Sequence, residues 1–349
     1  MDEKKSLASI SWQVTEPEYR ADSALSYSTL AKFNREGFLG LPHLFDKIES
    51  PSLTFGSMVD TLITGSDEEF KKQFKIVDDK IIPSDALVKI TKKLFDTFKF
   101  SYNDLLFIPE DEILNAISDI SWNNHWLPRT RVKKIKEDCV EYYKALFDID
   151  GCTIIGQQDY EKALNAVNTL KSSPSTKFYF EPNNVFDDNI QRFYQLKFKA
   201  TLEDIPFRIM ADELIVIHDK KIVIPVDLKT SSKPEWNFYK SFIDWGYWIQ
   251  AELYWRVIKD NMNKDPYFKD FTLLDYRFIV VNKETLTPLV WEFPDTTTTM
   301  DLYIGNYYLR HPFNIAKELV EYLKTEHDVP IGIYKNEPND IRTWLEYND

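Results

Sequence analysis

Glycine is scarce in this chain, at 9 of 349 residues. Neither Gly-x-Gly-x-x-Gly nor the P-loop pattern occurs, which argues against dinucleotide and P-loop enzymes, and no nucleotide cofactor is expected. Cysteine is scarcer still. Cys139 and Cys152 are too few for a four-cysteine zinc site or an iron–sulfur cluster. Nor do they make a disulfide scaffold, so a reducing compartment is expected. The apolar runs are strand-sized, short of the ~20 residues that span a bilayer. The N-terminus has no stretch of signal-peptide kind. The expectation is a cytoplasmic protein without a membrane partner. Positive charge is in deficit: 43 Lys+Arg against 56 Asp+Glu leave a net −13. Such a chain is poorly suited to coating nucleic acid, although a local basic channel stays open. The five histidines (His43, His125, His218, His311 and His327) are scattered and form no metal-spaced cluster.

Apolar residues are plentiful, at 43% with 15% aromatic, which supports a large core. The length suggests about two domains, or one with an insertion. Residues 1–24 are polar and read as a loose lead-in. A short helix is expected over Ser28–Phe33, capped by Ser26 or Ser28. Phe55, Met58, Val59, Leu62 and Ile63 form an apolar stripe at helical spacing, predicting a helix over Leu53–Thr64 that stops at Gly65. Residues 67–150 read as a helical insertion, and Gln157–Leu170 as a further helix.

From Gln191 the period changes to two. Tyr194, Leu196, Phe198 and Ala200 alternate with polar residues, as do Ile205, Phe207, Ile209 and Ala211. Leu214–His218 and Ile222–Leu228 are two more strand-like runs. Phe238–Asp260 reads as helix, Tyr276–Val281 and Pro288–Phe293 as strands, and Met300–Lys324 as helix interrupted at Pro312. The expected class is α+β: a central mixed sheet flanked by helices, with a helical insertion.

The chemistry-bearing stretch is Asp212 followed by Asp227-Leu228-Lys229. Asp227 and Lys229 are two apart on a strand and leave one face, with Val226 and Leu228 expected to face the core. A hairpin can bring Asp212 beside Asp227. Two carboxylates and an ammonium at one sheet end suit a hard divalent cation, which takes one or two carboxylates and completes its shell with water and phosphate. The lysine would hold or deprotonate an attacking water. The bland alternative is an ordinary ion pair or a solvated strand face. Pro225 weakens the strand reading. Trp122, Trp126, Arg129, Arg131, Lys133, Lys134 and Lys136 form a basic, aromatic segment of a kind that can contact single strands, or simply a solvated helix face.

Asp212 with Asp227-Leu228-Lys229 resembles the PD-(D/E)XK nuclease signature. Three other segments resemble its RecB/RecE-like exonuclease branch: Ser26 and Ser28 before Leu30, Gly56 followed by Asp60, and Gln250 followed by Tyr254. The order is right from about residue 25 to residue 255. The resemblance implies a restriction-endonuclease-like core over 25–66 and 151–349, with 67–150 inserted. It implies a Mg²⁺-dependent deoxyribonuclease, with Mn²⁺ as substitute, acting on linear, end-bearing DNA in recombination or phage genome metabolism; a phage origin would place it in the host cytoplasm. Asp212, Asp227 and Lys229 would be catalytic. Asp60, Asp212, Asp227 and the Leu228 carbonyl would hold metal. Ser26, Ser28, Gly56, Thr230, Gln250 and Tyr254 would touch nucleic acid or support the site. The branch usually has His where Asp60 stands; aspartate is a harder oxygen ligand. Partners implied are a single-strand annealing protein and a homo-oligomeric ring. The alternatives are a repair or defence nuclease with another end requirement, or a catalytically silent domain that binds DNA or serves a virion.

Overall fold

The computed structural model describes residues 4–45, 50–149, 151–184 and 186–324. Two compact units divide the chain, one of Met1–Ile48 with Thr169–Asp349 and one of Glu49–Asn168. The second unit therefore begins before residue 67 and ends after residue 150. Parallel pairing of Phe74–Val77 with Thr153–Gly156 ties its two ends together.

The first unit opens with a 3-10 turn at Leu7–Ile10 and helix α1 (Glu16–Ala21). The expected loose lead-in is instead docked. Leu7 is fully buried in the main core, the Trp12 N–H donates to the Lys197 carbonyl at 2.7 Å, and Arg208 donates to the Tyr19 and Asp22 carbonyls. One apolar anchor and backbone bonds outweigh a polar composition. Helix α2 (Tyr27–Glu36) follows.

The second unit holds α3 (Pro51–Thr64), α4 (Asp67–Gln73), β1 (Phe74–Val77), α5 (Asp85–Phe98), α6 (Glu110–Ile120), α7 (Pro128–Asp138), α8 (Val140–Ala145) and β2 (Thr153–Gly156); α9 (Gln157–Ser172) runs out of it. Ser50 caps α3, and the Gly65 N–H closes it on Thr61. Leu87, Ile90, Leu94, Ile113, Ile117, Val132, Ile135 and Tyr143 form a core within this unit.

The first unit resumes with β3 (Ile190–Leu202), β4 (Ile205–Ile217), β5 (Ile222–Ser231), α10 (Phe238–Trp245), α11 (Tyr247–Lys264), β6 (Thr272–Leu273), β7 (Tyr276–Asn282), β8 (Pro288–Phe293), β9 (Leu302–Ile304), β10 (Tyr307–Leu309) and α12 (Pro312–Lys324). Its sheet runs β3-β4-β5-β7-β8, with β6 beside the start of β5. β3–β4, β4–β5 and β7–β8 are antiparallel, whereas β5 and β7 are parallel. A parallel joint needs a long crossover, which α10 and α11 supply. Glu203 and Asp204, both at positive φ, turn β3 into β4. Pro225 fits because β5 pairs β6 only up to Val223 and pairs β7 only from Val226, so no bond is asked of it on that side.

Two expected elements differ. Ile205–Asp212 and Leu214–His218 are one strand, β4. Met300–Lys324 is helical only from Pro312; before it lies the β9–β10 hairpin, turned at Gly305 and Asn306. Pro312 starts the helix rather than interrupting it, since proline is pre-set for a first turn. Residues 325–349, with His327 and the end of the expected C-terminal region, lie outside the described residues. Among those described, no helix is long and apolar enough to cross a membrane.

Candidate active site

The site is built where β4 and β5 part. Along β4, Phe207, Ile209 and Ala211 belong to the core, and then Leu214 and Val216. The alternation slips by one residue. Across the ladder the same slip separates Phe193 from Leu196, and Gln195 sits in it at φ +55°. Tyr194 pairs Glu213 and Leu196 pairs Ala211, so Gln195 faces Asp212 at the distorted step. On the other side the β4–β5 ladder ends at Glu213 with Val226. One step further that register sets Asp212 beside Asp227. There the Asp212 carboxylate accepts the Leu228 N–H at 3.1 Å, taking over from the missing ladder bond.

Asp227 is fully buried. It and Lys229 lie on the face covered by α11, the reverse of the expected orientation: their β7 neighbours Phe278 and Val280 belong to the main core. Val226 is buried too, on the other face. With both faces covered, alternation alone cannot say which is which. Lys229 Nζ stands 2.5 Å from Asp227 Oδ2 and donates to Gln250 Oε1 at 3.1 Å. The Gln250 amide in turn donates to Asp227 Oδ1, closing a three-membered ring of contacts.

Aromatic rings enclose this ring. The Tyr247 ring centroid is 4.7 Å from Lys229 Nζ, and Tyr247 stacks on Phe278. Tyr254 and Tyr276 meet edge-on at 6.1 Å. Burial raises both phenols well above their ordinary values, with Asp227 and Asp212 adding to the effect. The Tyr276 hydroxyl is buried and has no hydrogen-bond partner among the described residues. Burial disfavours the Lys229 ammonium, but Asp227, then Tyr247, Asp212 and Tyr27, outweigh it and hold Lys229 above its ordinary value. In this arrangement Lys229 is held as a cation between Asp227 and Gln250. Beside Asp212, burial pushes Glu213 up to about 8 against the opposing pull of Arg192.

Gln250 thus joins the strand pair directly, and Tyr254 lines the same neighbourhood. Ser26 takes the N-cap position of α2 without a capping bond; its hydroxyl lies 3.0 Å from Ser28 and 3.2 Å from Thr29. Leu228 and Thr230 alternate to the face away from Asp227 and Lys229, and the Leu228 N–H donates to Asp212. Gly56 and Asp60 lie on α3 of the second unit, half-buried, with the Asp60 carbonyl accepting from Thr64. Among the described residues no group of three or more His, Cys, Asp or Glu side chains is gathered as a metal site. Asp212 and Asp227 make a pair. In the basic segment, Lys133, Lys134 and Lys136 face Glu137, Asp138 and Glu110, so local carboxylates offset much of its charge. Tyr27 and Tyr247 are site residues the sequence reading passed over. Tyr247 stands three before Gln250 on one helical face, which was a usable signal.

The donor set fits a hard cation in kind: two carboxylates at adjacent strand positions, with an orphaned phenol in the same neighbourhood. No protein-family model matches the chain, and no curated protein matches it. A solved structure described as a candidate exonuclease from Eubacterium rectale aligns over 96% of this chain and 88% of its own, at 13% identity and a TM-score of 0.42. A likeness that faint carries no weight for function.

Proposed function

We propose that the protein is a Mg²⁺-dependent deoxyribonuclease of the PD-(D/E)XK kind, an exonuclease acting on double-strand ends. The observation that carries the proposal is the convergence of Asp212, Asp227, Lys229 and Gln250 where two strands part. Asp212 and Asp227 would hold Mg²⁺, with the Leu228 carbonyl as a further candidate ligand. When bound, the ion would stabilise charge on the scissile phosphate. Lys229 would hold the attacking water and counter the charge developing in the transition state. Gln250, bonded to both Asp227 and Lys229, would keep the ammonium aimed. Tyr247 and Tyr254 would exclude bulk water, strengthening these contacts.

A second reading has an observation of its own. Asp227 is sealed from solvent with Lys229 and Gln250 on its oxygens, the geometry of a structural ion pair in a silent, DNA-binding domain. One experiment separates the two. End-labelled linear duplex and closed circular duplex are incubated with the protein in Mg²⁺ or in chelator. Loss of linear but not circular DNA, in Mg²⁺ alone, supports the exonuclease. Equal loss of both leaves a general nuclease. No loss, with Asp227→Asn binding DNA as the wild type does, supports the silent domain.

A further inference from the structure

The inner face of α10 is committed to the core: Phe238 and Phe242 are buried against Trp291 and Phe278. Its outer face, with the turn before it, is not. On that outer side Trp236 is 79% exposed and Tyr239 38%; Trp245, which ends the helix on the Phe238–Phe242 stripe, is still 49% exposed. Trp236, Tyr239 and Lys240 fall at i, i+3 and i+4, so the rings and the cation share one side. Packing inside the fold gives no reason for large rings there. Cations stand over two of them: Arg35 of α2 is 5.5 Å from the Trp245 ring centroid, and Lys240 is 5.9 Å from that of Tyr239. Of the acids nearby, Asp244 is paired to Lys233 and Glu36 to Arg35, while Glu235 accepts only the neutral Thr287 hydroxyl.

The C-terminal end of α10 adjoins the site. The Trp245 carbonyl accepts the Tyr27 hydroxyl at 2.9 Å. Two residues on, Tyr247 lies over Lys229. We propose that Trp236, Tyr239 and Trp245, with Arg35 and Lys240, form a stacking track that leads an unpaired strand of nucleic acid to the Asp227–Lys229 site. The proposal rests on the nuclease reading and adds the form of the substrate at this face. Rings beside cations suit a single strand, whose bases offer flat faces and whose phosphates want positive charge. A duplex hides those faces. The exposed β9–β10 hairpin makes the contrast: Tyr303 and Tyr308 meet at 5.0 Å with tilted rings, and the Tyr308 hydroxyl is tied to Asp301.

The test is binding of a short labelled oligothymidylate in chelator, beside an abasic oligomer of equal length. The proteins are wild type, Trp236→Ala, Trp245→Ala, Trp245→Phe and Tyr303→Ala, each checked by thermal melting. Trp236→Ala and Trp245→Ala should each weaken oligothymidylate binding about tenfold, with Trp245→Phe and Tyr303→Ala near wild type. The abasic oligomer should bind weakly and be indifferent to the ring substitutions. Equal binding of oligothymidylate by wild type and both alanine variants overturns the track. So does equal binding of the two oligomers, or no binding by the wild type. Wild-type cleavage of linear duplex in Mg²⁺, measured in parallel, keeps the two failures apart: cleavage with an inert track defeats only the track, and a working track without cleavage defeats only the nuclease.

Discussion

At the scale of single residues, burial governs what substitution of Lys229 does. Its side chain is 17% exposed, and its partner Asp227 is fully enclosed. Removing either partner leaves an uncompensated buried charge, which costs about 3–5 kcal/mol. We expect Lys229→Met and Asp227→Asn each to lower the melting temperature in chelator. The double variant should recover part of that loss, while all three lose cleavage. A Lys229→Met protein that melts like wild type would show that the pair is not closed in solution. A second residue gives a pH signature. Burial raises Glu252 from 4.5 to about 9, with Arg256 opposing and Asp295 and Asp301 adding to the rise. Burial also lowers its neighbour His311, so the 3.7 Å contact between them joins two neutral groups rather than ions. The folded state keeps the Glu252 proton that the unfolded chain releases, so its contribution to stability falls as pH rises from 4.5 toward about 9. Glu252→Gln should therefore gain on wild type as pH is raised from 5 to 8, by up to ~1 kcal/mol per pH unit. Parallel melting curves across that range would contradict it.

At the scale of elements, the joint between α10 and α11 positions the site. Gly246 holds φ +68° there, and a Cβ would meet the Ile249 side chain at 3.2 Å and Ala31 of α2 at 3.6 Å. Gly246→Ala should cost about 1–2 kcal/mol from the left-handed backbone alone. Because Tyr247 and Gln250 follow on the next turn, it should also reduce cleavage more than an exposed Ala substitution such as Lys220→Ala; equal activities would detach the joint from the chemistry. The sequence reading ran one helix through this point, since the apolar pattern continues on both sides of a single glycine. Elements with one wet face were readable. The alternation of β3 and β4 and the stripe of α3 came through because polar residues marked the solvent side. β5 was read as a strand but turned the wrong way, because both its faces are covered. Met300–Lys324 misled for another reason: Tyr303, Ile304, Tyr307 and Tyr308 suit a helical stripe as well as a hairpin, and only Gly305 with Asn306 favours the turn. Of the site, Asp212, Asp227 and Lys229 could be named from spacing, and Gln250 only from the family resemblance. Tyr27, Tyr247 and Tyr276 could not be separated from the many other aromatics until the fold set them around the lysine.

At the scale of the whole molecule, the net charge of −13 sets how nucleic acid can be held. A surface of that sign repels phosphate broadly, so attraction has to be local. In the first unit the cations placed for it are few. Lys240 and Arg35 stand over exposed rings, Arg35 while also paired to Glu36; Lys199 is paired to Asp22, Lys233 to Asp244 and Arg310 to Glu318. Binding of a single strand releases about 0.7 counterions for each phosphate neutralised. Two or three contacts therefore predict that the logarithm of affinity falls with the logarithm of salt at a slope of roughly −1.5 to −2. Base stacking is indifferent to salt, so most of the affinity should survive to high ionic strength. Lys240→Ala should flatten the slope by roughly 0.7, while Trp245→Ala should weaken binding at every salt concentration and leave the slope alone. Fluorescence titration of a labelled single strand over a range of NaCl concentrations measures both. A steep slope, of roughly −5 or beyond, would mean that a larger basic channel carries the strand and that the rings of α10 are incidental.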